Sequence, residues 1–226
     1  MNNAAKLRIA VLISGSGTNL QAILDAIDSG ELPVEIAAVI SDKPAAYGLE
    51  RARSVGVKAI AIDFAAHTSR ADYNAALDAA LAEIDPQLIV LAGYMRILPD
   101  PTVNHYLGRM INIHPSLLPA YPGLNTYARA LQAGERHHGT TVHFVIPELD
   151  AGPAILQYRV SIDATDTEDT LCEKTQRGEY IIYPQVIRWF AEGRVAMENH
   201  PDCRTIMDGQ PISQPIVIDA DENTHP

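Results

Sequence analysis

"LRIAVLISGSGTNLQAIL" (residues 7–24) decides the fold, because seven mostly apolar residues end in a glycine turn that leads directly into a helical pattern. A strand that is apolar on both faces and precedes a helix is typical of a parallel α/β sheet. The same pairing recurs in "VEIAAVIS" with "YGLERARSVG" and in "KAIAID" with "RADYNAALDAALAEI". The alternation predicts right-handed βαβ units and a doubly wound first half.

The second half of the chain predicts a different strand arrangement. A helix is expected at "TYARALQAG", followed by the strands "GTTVHFVI" and "AILQYRVSI", which are close enough in sequence to pair antiparallel at the sheet edge. The predicted class is α/β: a three-layer, Rossmann-like, open and mostly parallel sheet with antiparallel edge strands and helices on both faces.

A long helix is predicted to begin near "DTEDTLCEK", with Thr165 or Asp166 as its cap. It should run towards "IIYPQVIRWFAEG", where Pro184 can kink it. Further on, "DGQP" suggests a short hairpin, and the polar tail "DADENTHP" suggests disorder.

Composition excludes several functional classes. The chain has 226 residues, 47% of them hydrophobic, and a formal net charge of −11, so its field repels nucleic acid and anionic membrane surfaces. The two cysteines, Cys172 and Cys203, are too few for a disulfide framework and are typical of a reducing compartment. The first apolar run is too short for a signal peptide or a membrane span, so we expect a cytoplasmic protein.

The glycine turn leaves two interpretations open. Gly15 and Gly17 precede a helix N-terminus, where backbone N–H groups can bind a phosphate, but any tight strand-to-helix turn also uses glycine. A dinucleotide fingerprint would need a third glycine where this chain has Leu20. Asp42, after the second strand pattern, is therefore interpreted as a turn residue rather than a ribose ligand.

Four polar residues suggest a site that handles protons. Asn112 and His114 alternate in "MINIH" and so share one face of a strand, while His143 and Asp150 follow in later motifs. A carboxylate near an imidazole can raise the pKa of the histidine by about 1–3 units. An amide N–H can stabilise a developing oxyanion. These groups suit acyl transfer without a protein nucleophile; a metal triad of His114, His143 and Asp150 is the weaker alternative, since it leaves Asn112 without a role.

The motifs in combination resemble those of the folate-dependent formyltransferases, and among them the phosphoribosylglycinamide formyltransferase family. The similarity covers about residues 7–193 and is carried by "VLISGSGTNLQAI", "LAGYMRIL", "NIHPSLLPAYPGL", "HGTTVHFV" and "LDAGPAILQ". Methionyl-tRNA formyltransferase and formyltetrahydrofolate deformylase share part of this pattern but fit less well.

The resemblance implies transfer of the formyl group of 10-formyltetrahydrofolate, as co-substrate, to the amine of 5-phosphoribosylglycinamide in purine biosynthesis. His114 would be the general acid, Asp150 would raise its pKa, and Asn112 would stabilise the oxyanion. The partners would be small molecules, without metal, nucleic acid or membrane, and the chain would be a monomer or weak homodimer.

The resemblance also implies two binding sites. The residues expected to hold phosphoribosylglycinamide are Gly17, Thr18, Asn19, Gln176, Arg177, Gly178 and Glu179. The residues expected to hold the folate are Arg70, Met95, Arg96, Ile97, Leu98, Asn112, Ile146, Pro147, Glu148 and Leu149.

Four positions depart from the family pattern. Asn125 and Tyr127 stand where histidines are usual, Tyr180 replaces a histidine after Glu179, and Gly178 interrupts the long helix at a cost of about 1 kcal/mol relative to Ala. These departures put in doubt any ligand contact that the imidazoles make.

The expected organisation is a single formyltransferase domain over 1–193, with a phosphate-binding half over about 1–105 and a folate and catalytic half over about 106–193. Residues 194–226 form a C-terminal extension. Two other functions stay open: a non-catalytic protein that binds a phosphorylated metabolite, and a hydrolase that transfers the formyl group to water.

Overall fold

Parallel strands and intervening helices build the first of two units in the chain, Met1–Ile111 and Asn112–Pro226. The computed structural model describes residues 6–198 and 203–220. The elements of the first unit are β1 Leu7–Ile13, α1 Thr18–Asp28, β2 Val34–Ser41, α2 Tyr47–Ser54, β3 Ala59–Ala61, α3 Arg70–Ile84, β4 Leu88–Leu91 and α4 Asp100–His105. Its strands lie in the order β3-β2-β1-β4 and all pair parallel.

Burial explains why β1 stands inside this sheet. Its last five residues, from Ile9 to Ile13, are completely buried, as expected for a strand covered on both faces. The predicted α3 is confirmed, and the Ser69 hydroxyl caps it by accepting a hydrogen bond from the Asp72 N–H.

The second unit begins inside a strand and contains the rest of the elements. They are β5 Met110–His114, whose first two residues belong to the first unit, α5 Thr126–Ala133, β6 His137–Phe144, β7 Ala154–Ser161, α6 Glu168–Ala191, β8 Val195–Glu198, β9 Arg204–Met207, β10 Gln210–Pro211 and β11 Ile216–Asp219. The strands β5-β6-β7-β11 are neighbours in that order, and α6 packs against β6 and β7. The predicted α/β class with a mostly parallel mixed sheet is confirmed.

The edge of this sheet differs from the prediction. β6 and β7 do pair antiparallel, but β11 pairs parallel with β7 on its other side, so the β6–β7 pair is not the edge. The Arg159 guanidinium donates to the Asp219 carboxylate and ties β11 to β7. β8, β9 and β10 form a separate antiparallel sheet, and its β9–β10 hairpin turns at Asp208 and Gly209, as "DGQP" predicted.

The start of α6 corrects the predicted cap. Thr167, rather than Thr165 or Asp166, is the N-cap: its hydroxyl accepts from the Thr170 N–H, and the Thr170 hydroxyl accepts from the Thr167 N–H. The Asp166 carboxylate is engaged elsewhere, because it accepts from Lys174 Nζ at 2.6 Å. The helix continues through Pro184 as one element.

The predicted disorder of the C-terminal tail lies outside the described residues. Among the described residues, no helix combines the length and apolar character needed to cross a membrane.

Packing explains the glycine inside α6. A Cβ placed on Gly178 would lie 2.1 Å from Cδ1 of the Tyr158 ring on β7, so the ring occupies the space that any other side chain would need. Glycine lowers helix propensity at position 178, but it allows α6 to pack closely against Tyr158 on β7.

We expect the substitution Gly178→Ala to lower the free energy of unfolding by about 1–3 kcal/mol, because overpacking outweighs the better helix propensity of alanine. In a Tyr158→Ala background the same substitution should instead stabilise the protein by up to about 1 kcal/mol, since the Cγ and ring atoms that obstruct the new Cβ are gone. Urea unfolding of the four variants measures both effects. Equal effects in the two backgrounds would contradict the packing explanation.

Candidate active site

Asn112 and His114 lie on β5, as the alternation in "MINIH" predicted. Ile111 and Ile113 are buried in the core, Asn112 is half-buried, and His114 is 6% exposed at the last position of the strand. The carboxyl end of a strand in an open α/β sheet is where ligands collect.

Asp150 joins these residues from the loop between β6 and β7. Its backbone has φ 53°, a left-handed conformation that Asp tolerates better than most residues. Its carboxylate is 8% exposed, accepts a hydrogen bond from the Gly123 N–H at 2.8 Å, and places Oδ2 3.5 Å from Nδ1 of His114. The structure therefore brings together all three residues predicted to be catalytic.

Both ring nitrogens of His114 face oxygen atoms. Nε2 lies 3.0 Å from the carbonyl oxygen of Tyr121, and Nδ1 faces the Asp150 carboxylate. A carbonyl and a carboxylate are acceptors, so both contacts are favourable when each ring nitrogen carries a proton.

His143 has different hydrogen-bond partners from His114, although the Asp150 carboxylate also lies near it. Its Nδ1 lies 2.8 Å from the Phe144 carbonyl oxygen and must donate to it. Burial lowers the pKa of His143 to about 4, so at neutral pH its Nε2 is an acceptor. That Nε2 lies 3.2 Å from Nδ2 of Asn112 and 3.9 Å from Oδ1 of Asp150.

The neutral ring of His143 fixes the orientation of the Asn112 amide. One N–H of Asn112 Nδ2 is donated to His143, and the second N–H of the same group stays available for another acceptor. The sequence drew attention to His143 but assigned it no role. The Phe144 carbonyl sets the tautomer of His143, and this tautomer leaves Nε2 free to accept from Asn112 and orient its amide.

The alternative of a metal triad finds no support in these contacts. Both nitrogens of His143 are engaged, one with Phe144 and one with Asn112. Within residues 6–198 and 203–220, no group of three or more His, Cys, Asp or Glu side chains is arranged to hold a metal ion.

Three polar side chains that the sequence analysis did not select hold the segment after β5. The Thr140 hydroxyl donates to the His114 carbonyl at 2.9 Å, and Thr141 donates to the Ser116 carbonyl at 2.6 Å. Gln157 on β7 donates to the Leu118 carbonyl at 2.8 Å. Threonine and glutamine in strands carry no sequence signal that distinguishes this function from ordinary packing.

In the first unit, the glycine loop is shaped by helix α2. Gly17 has φ 71°, and a Cβ there would lie 2.7 Å from Cα of Gly48, so glycine is required on both grounds. Arg51 Nε donates to the Ser16 carbonyl at 2.8 Å. No side chain caps the N-terminus of α1, where Thr18 is half-buried and Asn19 is buried.

The segment "MRIL" is also in the first unit, between β4 and α4. Met95 and Ile97 are exposed by 64% and 58%, whereas Leu98 is buried. Nη2 of Arg70 donates to the Ile97 carbonyl at 2.8 Å, so these two residues of the predicted folate site are in contact. Arg96 is not free, since its Nε donates to the carboxylate of Asp42.

The other predicted binding residues lie in the second unit. Ile146 and Pro147 are half-buried, and Glu148 and Leu149 are exposed, in the loop that ends at Asp150. On α6, Gln176 is half-buried, Arg177 is exposed, and Glu179 is buried at 7% exposure.

Two of the departures have structural explanations. Asn125 caps α5 with φ 57°, a conformation that suits asparagine. The Tyr127 ring packs edge-on against the His138 ring, with centroids 5.2 Å apart, and burial raises the pKa of its hydroxyl.

The α/β fold and the buried cluster of an amide, a histidine and a carboxylate are typical of an enzyme that transfers small acyl groups. Comparisons with known proteins narrow this class. The family model described as "Formyl transferase" matches residues 7–187. The chain is 48% identical over 207 residues to a phosphoribosylglycinamide formyltransferase of Escherichia coli K12, covering 90% of this chain and 95% of that protein.

Solved structures of formyltransferases and a related deformylase resemble this chain in fold as well as in sequence. A phosphoribosylglycinamide formyltransferase from Coxiella burnetii, in complex with CHES, is 50% identical with a TM-score of 0.88, covering 93% of this chain and 99% of that one. A formyltetrahydrofolate deformylase from Pseudomonas syringae is 27% identical with a TM-score of 0.82, covering 90% of this chain and 66% of that one. The chain belongs to the formyl transferase family, and the resemblance noted in its sequence is confirmed.

Two buried histidines make stability depend on pH. Burial lowers the pKa of His138, like that of His143, to about 4, below the value of roughly 6.5 expected in the unfolded chain. Between these values the unfolded state binds more protons, so stability is fully present above about pH 6.5 and falls as the pH drops towards 4.

We expect His138→Gln to reduce this pH dependence by about 1.4 kcal/mol per pH unit between pH 6 and 4.5, because one titrating group is removed. The adjacent and exposed His137 is the control, and His137→Gln should leave the slope unchanged. Urea unfolding at several pH values measures both slopes. A parental slope in the His138→Gln variant would contradict the assignment.

Proposed function

We propose that the chain transfers the formyl group of 10-formyltetrahydrofolate to the amine of 5-phosphoribosylglycinamide. The observation that carries this proposal is the His114 ring, held between the Asp150 carboxylate and a backbone carbonyl next to the Asn112 amide. The names of the relatives at 48% and 50% identity support the choice of substrates.

The reaction requires one C–N bond to form and another to break. The amine nitrogen attacks the formyl carbon, the carbonyl oxygen becomes negative, and the bond from carbon to the folate nitrogen then breaks. The amine loses one proton and the leaving nitrogen gains one. Asn112 donates its second N–H to the oxyanion, the kind of contact that contributes about 3 kcal/mol to catalysis.

His114 reaches the oxyanion by changing its acceptor. Its Nε2 proton is directed at the Tyr121 carbonyl in this structure, so the oxyanion must replace that carbonyl as the partner. The Asp150 carboxylate keeps the ring charged and, through a water molecule, relays the proton from the amine to the leaving nitrogen.

The binding residues are assigned by the same family resemblance. Gly17, Thr18 and Asn19 hold the substrate phosphate with backbone groups at the start of α1, and Gln176 to Glu179 bind the ribose and glycinamide parts. The folate is assigned to Arg70, to Met95–Leu98, to Asn112 and to residues 146–149. Exposed Met95, Ile97 and Leu149 supply apolar surface for a planar ring.

A second candidate is hydrolysis of the formyl donor to formate. The similarity to a formyltetrahydrofolate deformylase favours it, since water could take the place of the amine in the same cluster. A protein that binds a phosphorylated metabolite without catalysis would not require Asn112, His114 and Asp150 to meet.

One assay separates these functions. The purified protein is mixed with 10-formyltetrahydrofolate, with and without phosphoribosylglycinamide, while tetrahydrofolate and formate are measured. We expect tetrahydrofolate to form when the amine is present and no formate to accumulate. Formate release without the amine would establish the hydrolase, and absence of any turnover would contradict both enzymatic functions.

Asp150→Asn should lower kcat by roughly 10²–10⁴ and change either KM less than about threefold, because the carboxylate acts on proton transfer rather than on binding. Steady-state kinetics measure this difference. The control is Asp163→Asn, which alters an exposed carboxylate paired with Lys174 and should leave kcat unchanged. Parental turnover in Asp150→Asn would remove the carboxylate from the mechanism.

A further inference from the structure

Three consecutive residues of the irregular segment after β4 are each held by a distant part of the first unit. The Met95 N–H donates to Ser14 Oγ at 2.9 Å, and the Ile97 carbonyl accepts from Arg70 Nη2 at 2.8 Å. Between them, Arg96 Nε donates to Asp42 Oδ2 at 2.8 Å. A segment without helix or strand hydrogen bonds is thus fixed at every residue from 95 to 97.

Asp42 is the unusual member of this set. Its side chain is completely buried immediately after β2, whereas the Arg96 side chain is 37% exposed. The guanidinium carbon of Arg96 lies 3.7 Å from the centre of the Phe64 ring, close enough for a cation–π contact. The Phe64 N–H donates to the Asp42 carbonyl at 3.1 Å. Asp42 therefore contacts the Arg96 guanidinium with its carboxylate, and its backbone carbonyl holds Phe64, whose ring packs against the same guanidinium.

The contacts of Asp42 do not suit a role in stability alone. Asp42 Oδ1 is buried and has no hydrogen-bond partner among the described residues. A buried carboxylate with incomplete hydrogen bonding is costly, and well-packed apolar residues in place of both partners of a buried ion pair are often as stable or more so. The sequence interpretation of Asp42 as a turn residue is incomplete: the residue does lie in the bend after β2, but its side chain is also an interior anchor for Arg96, 54 positions away.

We infer that Asp42 is a positioning residue for the formyl donor, acting through Arg96 and Phe64 on the segment from Met95 to Leu98. Because Arg96 is drawn towards Asp42, the two apolar side chains that flank it, Met95 and Ile97, stay exposed for a planar ligand. This inference rests on the proposed function, which assigns the donor to that segment.

The test compares Asp42→Ala with Asp42→Asn, which keeps an oxygen acceptor for Arg96. We expect Asp42→Ala to raise the KM for 10-formyltetrahydrofolate about tenfold and to leave kcat and the KM for phosphoribosylglycinamide within about twofold. Asp42→Asn should restore the donor KM to within about threefold of the parent. Glu83→Ala is the matched control, since it removes an exposed ion pair with Lys58 in the same unit and should change none of the three constants.

A fall in thermal stability with all three constants unchanged, or changed equally, would overturn the inference and leave Asp42 a purely structural residue. If Asp42→Ala does not fold, Phe64→Leu decides, because it removes the ring under Arg96 and should raise the donor KM by about threefold. An unchanged donor KM in Phe64→Leu would then overturn the inference.

Binding of tetrahydrofolate, followed by intrinsic fluorescence, separates this inference from the proposed function. A parent protein that neither binds tetrahydrofolate nor transfers a formyl group would contradict the proposed function. A parent that does both, with Asp42→Ala binding tetrahydrofolate equally tightly, would contradict the inference alone.

Discussion

The buried carboxylate of Asp150 is the group on which the site depends. It lies 3.5 Å from one histidine and 3.9 Å from another, yet the two rings have different hydrogen-bond partners. His143 donates Nδ1 to a backbone carbonyl and keeps Nε2 as an acceptor, which leaves it neutral. His114 has an oxygen acceptor at each nitrogen, the Tyr121 carbonyl at Nε2 and the Asp150 carboxylate at Nδ1. Two chemically identical side chains thus have different hydrogen-bond partners.

In the proposed reaction, His143 and His114 both act at the position where the oxyanion forms. His143 accepts one N–H of Asn112 and so leaves the second N–H available for a ligand. Nε2 of His114 faces the Tyr121 carbonyl in this structure. A donor arrangement set before the substrate arrives needs little reorganisation during the reaction, which is the main source of catalysis at such sites. In the proposed reaction the attacking nitrogen belongs to the substrate, so the cluster needs no nucleophile of its own.

Much of the fold followed from the sequence, because β1 to β5 and α3 carry strong apolar patterns with clear turns between them. The partners of distant strands did not follow. β11 begins 55 residues after the end of β7, and no local pattern shows that it lies next to β7 rather than in the small sheet of β8 to β10. The cap of α6 was misplaced by one or two residues, since three candidate capping side chains, Thr165, Asp166 and Thr167, stand in a row. Among the site residues, Asn112, His114 and Asp150 were predictable from strand alternation and motif, whereas the tautomer of His143 and the buried position of Asp42 depend on three-dimensional contacts.

Nitrogen NMR of the histidine side chains at pH 7 reports the proton on each ring nitrogen and so tests the hydrogen-bond pattern of the site. We predict that His143 carries a single proton, on Nδ1, and that its Nε2 is an unprotonated acceptor. A His143 ring with its proton on Nε2, or with a proton on both nitrogens, would contradict this arrangement.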